Sequence, residues 1–183
     1  MIKFIVPCLM ACPLMLGACA NMSDGPDAVS DAAPQSATAA LVASDGSPRG
    51  IARAVASSDG LRITIEGENL SPGSHGAHVH MTGACTPPDF ASAGGHWNPT
   101  GRQHGRNNPQ GMHLGDLPNL MIGTDGRGMI EITVPGAQIT GDANALLDQD
   151  GAALVIHAGP DDMVTDPSGN SGGRIACGVF AAS

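Results

Sequence analysis

Apolar and polar residues alternate along several short segments of this chain. Alternation with a period of two places every second side chain on one face, which is the pattern of a half-buried β-strand. The segments with this pattern are Gly50–Ser57, Leu61–Glu66, Met129–Val134, Ala153–His157 and Arg174–Phe180. No helical periodicity of useful length follows residue 20. The pattern therefore predicts an all-β domain, built as a sandwich or a barrel.

Turn-forming residues separate these segments. Residues 57–60 (SSDG) and 124–127 (TDGR) are typical of hairpin turns. The alternation stops between Thr82 and Leu114, where Gly, Pro, His and Asn are frequent. A loop of this length is usually functional or disordered, and its histidines favour a functional loop.

The first 20 residues, MIKFIVPCLMACPLMLGACA, form a different pattern. Lys3 precedes an apolar run that ends in small residues, which is typical of a secretory signal peptide and too short for a transmembrane helix. Pro7 and Pro13 argue against a buried first helix. The residues LGAC, ending at Cys19, resemble a bacterial lipobox, in which the cysteine is acylated. Simple cleavage after Ala20 is the alternative.

The sequence thus predicts three parts: a signal peptide with lipobox at 1–18, a flexible tether at 19–38 and a folded domain at 39–183. The tether is rich in Ala, Ser, Asp and Pro and cannot bury enough apolar surface to fold. Ala20, rather than an aspartate, follows Cys19, which by resemblance to lipoprotein sorting signals favours the outer membrane. We therefore expect a periplasmic protein anchored by lipid at Cys19.

The chain is acidic, with 17 acidic and 8 basic residues and a formal net charge of −9. Its only lysine is Lys3. Nucleic-acid binding requires a basic surface, so we expect no nucleic-acid partner. An acidic face also repels an anionic substrate unless local positive charge corrects it.

Three of the five cysteines lie near the N-terminus, and two lie in the predicted domain. Cys8 and Cys12 fall within the signal peptide, and Cys19 would carry the lipid. Cys85 and Cys177 remain. In an oxidising compartment we expect these two to pair, and two buried free thiols are the alternative.

Histidines form two groups. His78 and His80 flank Val79, and in a strand both would lie on one face while Val79 lies on the other. Neutral imidazoles suit copper or zinc, although exposed or hydrogen-bonded histidines are an alternative. The second group is spaced 8, 9 and 3 residues apart: His96, His104, His113 and Asp116. Three histidines and one aspartate complete the ligand shell of tetrahedral zinc, unless the loop simply exposes them to water.

Several motifs occur in a fixed order between about Ala39 and Phe180: G-A-H-V-H, G-G-H-W-N-P, H-G, H-L-G-D-L-P-N, V-I-H and G-N-S-G-G-R-I-A-C-G-V. In order and spacing the chain resembles the copper/zinc superoxide dismutases. The resemblance implies an eight-stranded Greek-key β-barrel or sandwich with long metal-binding and electrostatic loops. It also implies one copper ion and one zinc ion per chain, and the disproportionation of superoxide to dioxygen and hydrogen peroxide.

The resemblance assigns metal ligands residue by residue. The implied copper ligands are His78, His80, His96 and His157, and the implied zinc ligands are His96, His104, His113 and Asp116. His96 would bridge the two metals as an imidazolate. It would also take up a proton when copper is reduced and deliver that proton to the second superoxide.

The resemblance gives four more residues a role. Asp161 is expected to hydrogen-bond one ligand of each metal, His78 and His104. Cys85 and Cys177 match the family disulfide. Arg174 matches an arginine beside copper, which would bind the small anion. His75 has no role in the family, and we expect an exposed loop histidine there.

Two features depart from the family. The segment Ala158–Gly173 carries three aspartates and no lysine, which predicts weak electrostatic steering unless Arg102 or Arg106 lies close to Arg174. Trp97 stands where the family usually has phenylalanine.

The alternative function is that of a non-catalytic periplasmic copper/zinc-binding lipoprotein. The presence of Arg174 argues against this alternative, because a metal buffer has no use for an anion-binding arginine. A copper-only dismutase would lack some of the implied zinc ligands. The sequence leaves open whether the protein is a monomer or a homodimer.

Overall fold

The structure, a computed structural model, describes Ile2, Ala33 and residues 35–183. The predicted signal peptide and most of the predicted tether lie outside these residues, so both stay predictions. The folded unit spans Ala33–Ser183. In the part of the chain that the structure describes, no helix is long and apolar enough to cross a membrane.

The folded unit consists of β-strands and one short 3-10 turn at Ala91–Ala93. The strands are β1 Ser36–Val42, β2 Pro48–Ser57, β3 Gly60–Gly67, β4 Gly73–His75, β5 Ala77–His80, β6 Leu120–Ile122, β7 Gly128–Pro135, β8 Ala153–His157, β9 Arg174–Val179 and β10 Ala181–Ala182. All five strands predicted from alternation are present. The all-β fold class is therefore confirmed.

Eight strands form one curled antiparallel sheet in the order β5-β8-β9-β1-β2-β3-β7, with β10 paired to β1. Strands β4 and β6 form a separate two-stranded sheet. Neighbours that are distant in sequence, such as β5 with β8 and β9 with β1, require long crossing connections of the Greek-key kind. These connections carry most of the polar residues discussed below.

The strands form where alternation and turn chemistry agree. In β3, Leu61, Ile63 and Ile65 are fully buried while the residues between them are not. The predicted turn at 57–60 closes the β2–β3 hairpin, in which Ser57 pairs with Gly60. The predicted turn at 124–127 lies between β6 and β7, where Gly123 N–H donates to the Arg127 carbonyl at 2.8 Å.

The folded part begins earlier than the predicted residue, Ala39. Strand β1 starts at Ser36, inside the range assigned to the tether. Ala37 packs in the hydrophobic core beside Ala39, and residues 36–38 pair with β2 and β10. The start of this strand was not predicted because alanine is only weakly hydrophobic. Burial of these alanines depends on the neighbouring strands.

The long loop after β5 is fixed to the outer edge of that strand. Val79 N–H donates to the Gly115 carbonyl at 3.0 Å, and Trp97 N–H donates to the Val79 carbonyl at 2.8 Å. Val79, Trp97 and Leu117 all belong to the main hydrophobic core. The core thus holds the loop against β5, with the β5 histidines beside it.

Candidate metal centre

The histidine-rich site lies where β5 and β8 meet the long loop. His78 and His80 come from β5, and His157 is the last residue of β8, which pairs with β5. Isolated bridges join His78 to Asp116 and His80 to His96. The remaining members of the site come from the loop: His96, His104, His113 and Asp116.

The first donor set contains four histidines whose ligand atoms all lie within 4.8 Å of one another: His78, His80, His96 and His157. All four residues are buried. Four of their nitrogen atoms have no hydrogen-bond partner among the described residues: His78 Nδ1, His80 Nε2, His96 Nε2 and His157 Nε2. A buried polar atom without a partner is costly. Four such atoms that converge on one point fit a metal ion.

In two of these histidines, His80 and His157, a hydrogen bond at the opposite ring nitrogen fixes the tautomer. His80 Nδ1 lies 2.9 Å from the Gly94 carbonyl, and His157 Nδ1 lies 3.0 Å from the Gly172 carbonyl. A carbonyl oxygen only accepts, so Nδ1 carries the proton in both rings. In the neutral ring Nε2 is then left with a free lone pair, as a metal ligand requires.

Burial keeps these imidazoles neutral. It lowers the pKa of His78 and of His157 to about 4, and the pKa of His80 to about 2. Burial likewise lowers the pKa of His96. Neutral imidazole is the form that binds a metal, so at neutral pH the first set is ready to do so.

The second donor set surrounds one carboxylate oxygen, Oδ1 of Asp116. Three Nδ1 atoms lie 2.9, 3.0 and 3.1 Å from this oxygen, those of His96, His104 and His113. The other oxygen, Oδ2, accepts hydrogen bonds from the backbone N–H groups of Gly105 at 2.8 Å and His113 at 3.0 Å. The carboxylate is thus oriented by the loop backbone. Three imidazoles and a carboxylate are a donor set that zinc prefers.

Asp116 is charged although it is buried. Burial alone would raise its pKa, but the hydrogen bonds from the three histidines and from Gly105 hold that pKa well below the usual range. The carboxylate is therefore available as an anionic ligand at any physiological pH.

His96 belongs to both donor sets. Its Nδ1 faces Asp116 at 2.9 Å, and its Nε2 is one of the unpartnered atoms of the first set. Its Nδ1 also lies only 3.4 Å from His113 Nδ1. One imidazole therefore faces both clusters, as the resemblance implies for a bridging ligand.

Asp161 accepts a hydrogen bond from one histidine of each donor set. Its Oδ2 accepts from His78 Nε2 at 2.8 Å, and its Oδ1 accepts from His104 Nε2 at 3.0 Å. Burial opposes protonation of His104, but its hydrogen bonds to Asp116 and Asp161 outweigh this and raise its pKa to about 9. One carboxylate thus orients a ligand of each set.

Asn119 holds Asp161 in place. The Asp161 N–H donates to Asn119 Oδ1 at 2.8 Å, and Asn119 Nδ2 donates to the Asp161 carbonyl at 2.9 Å. No role of its own was assigned to this residue from the sequence. Its position at the end of the H-L-G-D-L-P-N motif, three residues after Asp116, was the available signal.

Gly169 leaves room for the Asp161 carboxylate. It adopts a φ of 62°, and a Cβ at this position would overlap Asp161 Oδ1 and lie 2.7 Å from His104 Nε2. We expect Gly169→Ala to weaken the binding of both metals by about 10- to 100-fold, the range for losing a residue that orients ligands. Competition with a chelator measures this effect.

Gly173→Ala is the matched control for that experiment. A Cβ at Gly173 meets no atom of the described residues within 4 Å, and Gly173 lies outside the left-handed region. We expect this variant to bind both metals as the wild type does. Equal affinities in the two variants would contradict the role assigned to Gly169.

A cavity of about 670 Å³ leads to the first donor set. Arg174 lines it, and its guanidinium donates to the Phe90 carbonyl and the Gly94 carbonyl, both at 2.7 Å. Asp148 and Asp150 line the same cavity. Neither Arg102 nor Arg106 is among the described lining residues. The positive charge beside the first set is therefore supplied by Arg174.

The disulfide predicted between Cys85 and Cys177 is confirmed, with 5.7 Å between the two Cα atoms. Cys177 lies on β9, three residues after Arg174. Cys85 begins the part of the loop that provides the Phe90 and Gly94 carbonyls. The bond thus ties this part of the loop to the strand that carries the arginine.

The expectation that His75 is exposed is wrong. His75 is only 2% exposed and ends β4. Its Nδ1 lies 2.7 Å from the His157 carbonyl, and its Nε2 lies 2.9 Å from the Ser71 carbonyl. Two carbonyls from separate segments enclose the ring, and these contacts form only in the folded chain. Trp97 is also buried and belongs to the main core.

An all-β domain with two histidine-rich donor sets that share one imidazole defines a class of binuclear metal-binding protein. Residues 49–180 match the family described as copper/zinc superoxide dismutase (SODC). The chain belongs to this family.

The relatives carry two kinds of name. The chain is 44% identical over 148 residues to "Superoxide dismutase [Cu-Zn] 2" of Aquifex aeolicus (strain VF5), with 79% of this chain and 85% of the relative covered. It is 48% identical over 124 residues to "Superoxide dismutase-like protein YojM" of Bacillus subtilis (strain 168), covering 67% of this chain and 63%, less than two thirds, of that relative. A solved structure of a SOD-like protein from Bacillus subtilis superposes with a TM-score of 0.75 at 42% identity, covering 79% of this chain and 97% of that one.

Proposed function

We propose that this protein disproportionates superoxide, with copper in the first donor set and zinc in the second. The observation that carries the proposal is the set of four unpartnered buried nitrogens, one of which belongs to the imidazole that also faces the second set. Four imidazoles suit copper. Three imidazoles and a carboxylate suit zinc.

Copper bound by the four histidines supplies the one-electron redox chemistry, in which one superoxide is oxidised to dioxygen and a second is reduced to peroxide. Two superoxide ions and two protons thus give dioxygen and hydrogen peroxide. The protein must admit a small anion, hold it and provide protons. The residues that line the cavity are suited to each task.

Arg174 binds the anion. Two of its five N–H donors are committed to the Phe90 and Gly94 carbonyls, so the guanidinium is fixed while its other donors remain available. His96 holds a proton at Nε2 in one half of the cycle and releases it toward the second superoxide in the other. Its Nδ1, directed at the second set, keeps the ring in place during this exchange.

Metal content and turnover, measured together on the purified protein, test the proposal. We expect about one copper and one zinc per chain and superoxide-dependent turnover. Full loading of both metals without turnover would instead support the alternative, a non-catalytic copper/zinc-binding protein. We retain this alternative because some relatives are named only as superoxide dismutase-like.

Electrostatic steering of superoxide is expected to be weak. Arg174 is the cationic residue among the described lining residues, whereas Asp148 and Asp150 carry negative charge at the same cavity. Between 0.01 and 0.15 M salt the Debye length falls from about 30 to about 8 Å. We expect kcat/KM to change less than about threefold over this range, whereas strong steering gives tenfold or more. A steep fall in kcat/KM with salt would contradict this prediction.

We also propose that the protein works in the periplasm, anchored to the outer membrane through lipid at Cys19. The signal-like N-terminal sequence supports this location, and so does the disulfide, since such bonds persist in oxidising compartments. Cell fractionation tests the anchor. The wild type should partition with membranes and Cys19→Ser should not, and equal partitioning of the two would argue against it.

A further inference from the structure

Met81 places an exposed thioether at the entrance to the first donor set. It follows His80 directly, is 51% exposed and lines the cavity together with His80, His96 and His157. It belongs to neither hydrophobic cluster of the described residues, so packing of the core does not explain it. A thioether is a soft donor that selects Cu(I) over harder cations.

The loop backbone holds Met81 at this entrance. Its N–H donates to the Gly95 carbonyl at 3.0 Å. Its Sδ lies 3.8 Å from the position that a Cβ on Gly94 would occupy and 4.0 Å from the corresponding position on Gly95. Because neither glycine has a side chain, the thioether lies against bare backbone, and about half of the Met81 surface stays exposed to solvent.

The thioether and the His80 ring both lie beside the same residue, Gly94. The Gly94 carbonyl, on the residue that Met81 covers, accepts hydrogen bonds from His80 Nδ1 at 2.9 Å and from Arg174 at 2.7 Å. The other nitrogen of the same His80 ring, Nε2, is one of the unpartnered atoms of the first set. Gly94 therefore links Met81, an exposed residue that lines the cavity, to a ring of the first set.

The charge of the cavity favours an arriving cation. Asp148 and Asp150 are exposed and line the same cavity, and the whole chain has a formal net charge of −9. Clefts lined by negative charge raise the local concentration of cations. The cavity thus combines a weak attraction for superoxide with a favourable approach for a metal ion.

We propose that Met81 is a capture ligand for Cu(I): its thioether binds the incoming ion at the cavity entrance, and the ion then passes to His80 Nε2 and the other nitrogens of the first set. The inference rests on the proposed copper site. No electron transfer is involved, because the ion arrives and is passed on as Cu(I). Zinc, which prefers nitrogen, oxygen and thiolate ligands, gains little from a thioether, so Met81 also favours copper at this set.

The rate of copper loading tests the capture role. Copper-free full-length protein is mixed with Cu(I) held by a chromophoric Cu(I) chelator, and transfer is followed by the loss of chelator colour. Met81→Leu keeps the shape and removes the sulfur. We expect this variant to load about 10-fold more slowly, at the lower end of the effect of removing a supporting metal contact, and to reach the same final copper content.

Met121→Leu is the matched control. Met121 is 61% exposed on β6 and is not among the described residues that line the cavity. We expect this variant to load at the wild-type rate. A slow rate in both variants would show a general effect of losing a surface methionine and would overturn the assignment to Met81.

A second readout uses Ag(I), a redox-inert substitute for Cu(I), and protein with ¹³C-labelled methionine methyl groups. We expect the first additions of Ag(I) to shift the Met81 methyl resonance and to leave that of Met121 unchanged. Equal loading rates for wild type and Met81→Leu, with an unmoved Met81 resonance, would overturn the capture role and leave the copper site intact. A wild type that takes up no copper would overturn the proposed function, and the capture role with it.

Discussion

Replacing His96 by alanine should lower superoxide turnover per chain by more than about 100-fold, because loss of a residue that merely orients a ligand already costs about 10- to 100-fold. His96 contributes Nδ1 to one donor set and Nε2 to the other. Its removal leaves three nitrogens in the first set and two histidines with Asp116 in the second. The variant also loses the proton that the proposed cycle takes from Nε2.

Metal content and thermal stability should be measured with turnover in this variant. A ligand that binds only the folded state raises the melting temperature, so we expect added zinc to stabilise the wild type more than His96→Ala. Trp97→Phe is a suitable control, since it changes the bulk of the adjacent residue and leaves both donor sets intact. A His96→Ala variant that retains a tenth or more of wild-type turnover would contradict the bridging role.

The double variant Cys85→Ser/Cys177→Ser should have the largest effect on stability. The bond joins residues separated by 92 positions. Chain-entropy arguments assign such a loop about 4–5 kcal/mol of the free energy of unfolding. For a domain of this size each kcal/mol corresponds to about 2–4 °C, so we expect the melting temperature to fall by about 8–20 °C. Guanidinium unfolding and a thermal scan measure the two quantities.

The same variant should also lose catalytic efficiency. Without the bond, the part of the loop that holds Arg174 through the Phe90 and Gly94 carbonyls is no longer covalently linked to β9, and only noncovalent contacts such as these hydrogen bonds hold it there. Treating the wild type with a reductant should reproduce the loss of stability, whereas the double variant should not respond. A double variant as stable as the oxidised wild type would show that the bond contributes little.

Much of this site was accessible from the sequence because its residues lie in ordered motifs. His78 and His80 could be placed on one face from strand geometry alone, with Val79 on the other, and Val79 is indeed in the core. The spacing of the loop histidines indicated a four-ligand set. The pairing of Cys85 with Cys177 was expected because the other three cysteines lie near the N-terminus. The resemblance to a family then supplied the division into two sets.

Other residues could not be assigned in this way because their roles depend on distant backbone. Gly169 is required because a side chain there would overlap the Asp161 carboxylate. Asn119 contributes because it makes two hydrogen bonds with the backbone of Asp161. His75 was expected on the surface because it has no role in the family, yet both of its ring nitrogens face backbone carbonyls, those of His157 and Ser71. The first three residues of β1 were missed for a similar reason.

The sequence by itself determined the strands with strong alternation, the family and the residues able to bind metals, because these follow from local periodicity and side-chain chemistry. Only the tertiary structure decided which ring nitrogens of the histidines face inward, which carbonyls fix the other nitrogens of His80 and His157, and that Asn119 and Gly169 position Asp161. It also decided that Met81 lies at the entrance beside Asp148 and Asp150. These properties depend on contacts between segments far apart in the chain, which exist only after β5, β8, β9 and the long loop have packed together.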